Sequence, residues 1–209
     1  MTASNPHAGD GRIPDHLQHH PDRLRWNQRY QANPPTFTAH RLVTEALAAG
    51  FPDGPVLELA AGRSGNALEL AATGRHVVAV DVSDVALDDL AAQARQRGLS
   101  GRIDGVLADV PSYRPRPAGF ALVLATFYWD ADAFAAGCRA VASGGLVAWQ
   151  ALTDDPAAKP GTGRWRVPHG ELSRRLPTGF AVLMEEPSTE GDRRSTVLLA
   201  RRQMYRRDH

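Results

Sequence analysis

Between Pro55 and Leu152 short apolar runs alternate with stretches of helical periodicity, and this alternation constrains the fold more than any other feature of the chain. PVLELA, HVVAVDV, RIDGVLAD, FALVLATF and LVAWQAL read as strands; NALELAATG, DVALDDLAAQARQRG and DADAFAAGCRAVA read as helices, with the proline-rich loop PSYRPRP after the third strand. Strands this continuously apolar are buried on both faces, and helical connections of this length impose parallel β-α-β units with right-handed crossovers. The expected fold is therefore α/β, a Rossmann-like doubly wound sheet. The end of the chain departs from the pattern. After a loop over residues 153–167 and a short helix, PHGELSRRL, the segments GFAVLMEEP and STVLLARR lie close together across turn residues and read as an antiparallel hairpin. Upstream, LRWNQRYQANPPTFTAHRLVTEAL reads as a short helix, a break at Pro34-Pro35, and a second helix with Leu42, Val43, Ala46 and Leu47 on one stripe.

A chain of 209 residues with 43% hydrophobic and 22% charged residues fits one domain with a real core. The organisation expected is a mobile tail over residues 1–22, one domain over 23–203 whose residues 23–50 form a helical cap, and a tail over 204–209. The net charge of +1 predicts no polyanionic partner. The arginines near the C-terminus (Arg193, Arg194, Arg201, Arg202, Arg206 and Arg207) are read as turn, strand-end and terminal residues, not as a nucleic-acid surface. Cys138 is the single cysteine and lies in an alanine-rich helix, so a small buried residue is expected. His7, His16, His19 and His20 are read as solvated, with no metal site. With no apolar run near the roughly 20 residues of a bilayer span and no signal-peptide core, a cytoplasmic protein away from membranes is expected, as monomer or homodimer.

The first strand runs into a small-residue turn and then a helix, VLELAAGRSGNA. Such a turn lets backbone N–H groups approach a ligand and presents the positive end of a helix. Its glycines are thinned: Ala60, Gly62 and Gly65 fit a worn dinucleotide fingerprint, and Glu58, Ala60, Gly62 and Ser64 fit a worn S-adenosylmethionine loop equally badly. Asp81 ends the second strand, where a carboxylate can accept both ribose hydroxyls of an adenosine, but both cofactors want it. Three features separate them. Glu58, inside a buried strand, needs a partner, which a cationic ligand group or loop N–H groups can supply and a pyrophosphate cannot. Asp109, ending the third strand, can accept from an adenine amino group. A dehydrogenase needs a further substrate region, and little chain follows the fifth strand. These favour S-adenosylmethionine.

In these residues the chain resembles the class I S-adenosylmethionine-dependent methyltransferases, within them the small tellurite-resistance and thiopurine-methyltransferase-like group. The resemblance runs from WNQRY through ELAAGRSGNALELAATGRHVVAVDVSDVAL, VLADVPSYRPRPAGFALVLATF and SGGLVAWQAL to RVPHGELSRRLPTGFAVLMEE, over roughly residues 24–203. It implies seven strands in the order 3-2-1-4-5-7-6 with the seventh antiparallel. It also implies that Glu58, Ala60 and Gly62 hold the methionine moiety, Asp81 the ribose, Val82 and Val110 with Asp109 the adenine, and that Thr126 lies near the methionine and the substrate mouth. Ala60 and Ser64 stand where the family has glycine, and Ala121 where it commonly has an acidic residue.

Methyl transfer from a sulfonium is an in-line displacement with a leaving group already activated, so alignment alone lowers much of the barrier. Phe127, Tyr128 and Trp129, just past the fourth strand, can face a sulfonium. If the acceptor needs a base, His169 is the best-placed histidine, with Asp130 and Tyr128 behind it. Trp26, Arg29 and Tyr30 can form a lid, Trp165 and Arg166 can line the substrate mouth, and Arg29 or Arg166 can pair with an acceptor carboxylate. The expected function is methyl transfer from S-adenosyl-L-methionine to a small molecule, leaving S-adenosyl-L-homocysteine. The alternatives are an NAD-binding oxidoreductase and a non-catalytic S-adenosylmethionine-binding protein.

Overall fold

The computed structural model describes residues 13–153 and 165–204. Seven strands, β1 (Val56–Leu59), β2 (Val77–Asp81), β3 (Ile103–Leu107), β4 (Phe120–Ala125), β5 (Val141–Leu152), β6 (Phe180–Glu190) and β7 (Arg193–Arg202), form one sheet in the order 3-2-1-4-5-7-6. Strands β1 to β5 pair in parallel, and β7 runs antiparallel to both β5 and β6. This is the order and orientation that the family resemblance implied.

Helices α1 (Asp15–Gln18), α2 (Pro21–Gln31), α3 (Arg41–Ala49), α4 (Gly65–Ala72), α5 (Asp84–Gln96), α6 (Ala131–Ala140) and α7 (Glu171–Arg174) surround the sheet. The central strands β1 and β4 are buried at every position, yet alternate residues serve opposite faces. Leu57, Leu59, Val123, Ala125 and Trp149 pack with Phe134 and Cys138 of α6 and Leu172 of α7. Val56, Leu122, Leu124 and Ala148 pack with Leu42, Val43 and Ala46 of α3, Leu68 and Ala71 of α4, and Leu90 of α5. Cys138 is fully buried, and desolvation pushes its thiol up to about 12, which leaves it inert as a nucleophile.

Three boundaries differ from the sequence reading. Residues 13–22 were expected to belong to a mobile tail, but α1 and the start of α2 lie there, with Leu17 fully buried; residues 1–12 lie outside the described part, as do 205–209. The fifth strand, read as LVAWQAL, begins earlier: Val141 to Gly145 already belong to β5, whose register on β4 shifts between Phe120 and Leu122. The hairpin strands run almost to each other, because Gly191, at φ +57°, closes the chain between Glu190 and Arg193. Among the described residues no helix is long and apolar enough to cross a membrane.

Candidate functional site: a roofed crevice and an open cleft

The turn after β1 is built around Glu58. Its carboxylate is 1% exposed and receives the Ser64 hydroxyl at 2.5 Å and the Asn66 amide at 2.9 Å, one on each oxygen. Burial raises its pKa to about 7, and the two donors oppose that rise. The partner expected for Glu58 is thus inside the chain: the carboxylate braces the turn, with one donor on each oxygen. Ser64 also accepts from the Ala67 N–H at 2.8 Å as the cap of α4, which explains a serine where the family has glycine. Asn66 joins the brace to the chain before α3 by accepting from the His40 N–H at 2.7 Å. There the backbone of Thr38 lies so close to Gly65 that a Cβ would collide with it. Ala60, the other altered position, sits at φ +52°, a left-handed conformation that costs a non-glycine residue about 1–2 kcal/mol.

Asp81 ends β2 and points back to this turn. Its Oδ2 accepts from Gly62 N–H at 2.7 Å and its Oδ1 from Ser83 N–H at 2.8 Å. Burial raises its pKa to about 6 against the pull of these amides. A carboxylate has about four lone-pair sites, so two remain for ribose hydroxyls. Ser83 caps α5 by accepting from Ala86 N–H. Asp109 precedes the turn at the buried Val110, accepts from Ser112, and has His20 within 4.0 Å. Val82 is half-buried beside Asp81, and Thr126 follows the last residue of β4.

Helix α2 roofs this crevice. Arg23 and Asn27 both donate to Asp84 Oδ1 at 2.7 Å, and Ser83 donates to Asn27 at 2.6 Å, fixing α2 to the start of α5. Arg63 pairs with Asp89 at 2.6 Å and donates to the carbonyls of Tyr30 and Asn33. Tyr30 lies over the turn, its hydroxyl where a Cβ on Gly62 would be. Trp26 stacks on Tyr30 at 5.8 Å, Arg29 lies over Trp26, and Arg25 lies over both Trp26 and Trp165. The structure therefore brings Trp26, Tyr30 and Trp165 together. Arg166 is instead occupied with the Thr153 carbonyl at 2.6 Å.

Electrostatically the crevice is acidic. The Tyr128 hydroxyl is raised above its ordinary range by burial and by Asp130, Asp109, Asp22 and Asp81; Tyr30 is raised by burial and Asp81. The nearby guanidiniums of Arg23 and Arg63 are paired with Asp84 and Asp89. A cation carrying a ribose fits such a donor set, whereas a pyrophosphate meets a wall of carboxylates.

The base expected around His169 does not assemble. His169 is engaged through Nδ1 with Thr196 Oγ1 at 2.9 Å, and Asp130 caps α6 through Ala133 N–H at 2.8 Å. No hydrogen bond among the described residues joins either to Tyr128. Trp129 packs into the core beside Phe134, with Arg175 over its ring. No cluster among the described residues has the makings of a metal site.

A second concavity, about 610 Å³, lies next to the turn. It is lined by Thr36, Thr38, His40 and Arg41 before and at α3, by Ala61 and Arg63 to Asn66, by Thr126 and Phe127, and by the hairpin tip from Ser188 to Arg193. His40 meets Glu190 at 2.6 Å, and Phe127 stands edge-on to His40 and under Arg193. Of this cleft the sequence reading held only Phe127, Thr126 and the turn. His40 and Glu190 are 150 positions apart, and no local pattern announces such a pair.

Residues 56–145 match the model of a family described as a methyltransferase domain. No curated protein sequence matches the chain. Solved structures with the same fold include TehB from Haemophilus influenzae, at 17% identity and TM-score 0.67, covering 87% of this chain and 67% of that one. The [4+2]-cyclase SpnF is similar at 18% identity and TM-score 0.67, covering 88% and 94%. Magnesium protoporphyrin IX methyltransferase from Synechocystis PCC 6803, solved with S-adenosylhomocysteine, is similar at 14% identity and TM-score 0.64, covering 93% and 90%. Residues 56–145 thus resemble a methyltransferase domain, and the sheet of order 3-2-1-4-5-7-6 is the fold shared with these solved structures.

Proposed function

We propose that the protein transfers a methyl group to a small-molecule acceptor mainly by holding donor and acceptor in line. The observation that carries this reading is Asp81, buried at the end of β2, which positions Gly62 N–H and keeps lone pairs open toward an acidic crevice roofed by Tyr30. Bound S-adenosylmethionine supplies a methyl on a sulfonium, whose carbon–sulfur bond breaks with the electron pair going to sulfur as the acceptor's lone pair forms the new bond. The chain's residues bind and orient. Asp81 accepts the ribose hydroxyls, Asp109 and the backbone at Val110 face the adenine edge, and Thr126 lies beside the methionine end. Tyr30, Trp26 and Trp165 exclude water from above. Tyr128, protonated across the physiological range, presents an oxygen toward the sulfonium. Asp130 caps α6 and His169 is held through Nδ1 by Thr196, which leaves Nε2, solvent or a group on the acceptor itself to take the acceptor's proton.

Calorimetry tests this reading: saturable heat with S-adenosylhomocysteine and none with NAD is expected, and the reverse would reject it. SpnF, a [4+2]-cyclase, has this fold, so turnover is measured separately, as S-adenosylhomocysteine formed with thiol, amine and phenol acceptors. Binding without turnover across that panel favours the non-catalytic alternative.

A further inference from the structure

The cleft at the hairpin tip has a charge pattern that the cofactor crevice does not share. Arg41 is paired with Glu186 at 3.3 Å, and Arg63 with Asp89 at 2.6 Å. Glu190 receives His40 Nε2, while His40 Nδ1 accepts from the Leu42 N–H at 3.1 Å and so caps α3. That arrangement fixes a neutral imidazole that donates to Glu190, and leaves the Glu190 carboxylate charged. Arg193 has no ion-pair partner among the described residues; its guanidinium carbon lies over Phe127, 5.3 Å from the ring centre, and its charge helps hold the Glu190 carboxyl below its usual range. Phe127 is itself held at φ +54°, a conformation a bulky residue adopts only when its surroundings enforce it. Behind Glu190, Gln150 is fully buried and gives its amide N–H groups to Ser195 at 2.9 Å and Glu190 at 3.3 Å; its Oε1 is buried with no partner. The threonines at 36, 38, 126 and 189 add hydroxyls around the wall.

The cleft thus offers one cation and one anion. Its volume suits a small organic molecule, and it shares Ala61, Ser64 and Thr126 with the edge of the donor site. We propose that it binds the methyl acceptor, and that the acceptor is a small amino or hydroxy acid, with its carboxylate on Arg193 and its N–H or O–H on Glu190. This rests on the methyltransferase reading above. A guanidinium stacked on an aromatic ring can still pair with a carboxylate through its N–H edge. A phosphate dianion would bring a second negative charge against Glu190.

The test uses protein loaded with S-adenosylhomocysteine. Binding of 2-aminobenzoate, 2-hydroxybenzoate and free amino acids is followed by ligand-observed NMR and calorimetry, each against its carboxamide, with phenyl phosphate as the dianion. At least one acid should bind about tenfold or more tighter than its amide. Arg193→Ala should abolish that preference, Arg193→Lys should retain part of it, and Arg194→Ala should leave it intact. Affinity for S-adenosylhomocysteine should not change in Arg193→Ala. If that affinity collapses, the cleft holds the methionine end of the cofactor and the inference is overturned. It is overturned too if no acid is preferred to its amide, or if phenyl phosphate binds best. A wild type that binds no S-adenosylhomocysteine removes the methyltransferase reading and this inference together.

Discussion

The crevice over Asp81 and the cleft under the hairpin tip share a wall at the β1–α4 turn, yet they treat polar groups in opposite ways. In the crevice nearly every polar group is committed before a ligand arrives. Glu58 is spent on Ser64 and Asn66, Asp84 on Arg23 and Asn27, Asp89 on Arg63, and half of Asp81 on backbone amides. In the cleft the exposed Arg193 has an aromatic face and the Glu190 charge nearby, but no ion pair among the described residues. A committed network fixes geometry for a ligand of constant shape, and buried unpaired groups there would be costly. An uncommitted charge in a half-open cleft costs little while water serves it, and it leaves selectivity to the molecule that enters. On the function proposed above, the crevice would serve the invariant half of the reaction and the cleft the discriminating half.

Breaking the crevice should have the largest effect. Asp81→Ala removes the ribose acceptor and frees Gly62 and Ser83 N–H, so affinity for S-adenosylhomocysteine should fall by well over tenfold, beyond about 1.4 kcal/mol, in a calorimetric titration. Unchanged affinity would falsify the ribose assignment. Next comes the roof. Asp84→Ala cuts the Arg23 and Asn27 bonds of α2, leaving Ser83–Asn27 and Arg63–Tyr30, and should destabilise the folded protein by about 1–3 kcal/mol in urea while α2 loses hydrogen-exchange protection ahead of the sheet. An α2 that stays protected would mean that packing, not Asp84, holds it.

A smaller effect is expected at the turn itself. Ala60→Gly relieves the left-handed residue and should raise stability by about 0.5–1 kcal/mol, less whatever flexibility glycine adds to the unfolded chain. A lower melting temperature would show that the Ala60 methyl contributes packing that outweighs its strain.

The smallest effect is on pH dependence. Glu58 and Asp81 have folded pKa values raised to about 7 and about 6, above their unfolded values. The folded state therefore binds more protons, and their contribution to stability is complete below about pH 4 and is lost as pH rises through 6 to 7. Apo protein should show a component of stability that falls over that window, and Glu58→Gln should flatten its upper part. Cofactor affinity should run the other way, weakening as pH falls below about 6 and Asp81 gains a proton that blocks one of its acceptor sites. A pH-independent affinity between 5 and 7.5 would place the working pKa elsewhere.

Much of the fold was written locally. The apolar runs marked β1 to β5 because burial on both faces leaves no alternation of polar residues. DVALDDLAAQARQRG marked α5, and the closing segments marked the hairpin. Asp81 was singled out because the end of a strand in a doubly wound sheet has a known relation to the ligand crevice. Glu58 was singled out as an acid inside a buried strand, with a ligand cation or the loop's backbone N–H groups as its expected partner, whereas the side chains of Ser64 and Asn66, six and eight residues on, receive it. For His169, nearness along the chain to the end of β5 says nothing of side-chain partners, and its Nδ1 meets Thr196 of β7. Helix α1 was missed since a four-residue helix carries no periodicity.

The sequence by itself therefore determined the layers of the fold, the turn and the carboxylate at the end of β2, because each depends on periodicity or strand position within a short window. Only the tertiary structure decided what each polar group is spent on. Glu190 meets His40 across 150 positions, and Arg23 meets Asp84 across 61. Such pairings follow from how strands order themselves in the sheet and how α2 folds back over it, a global packing solution that no local pattern encodes.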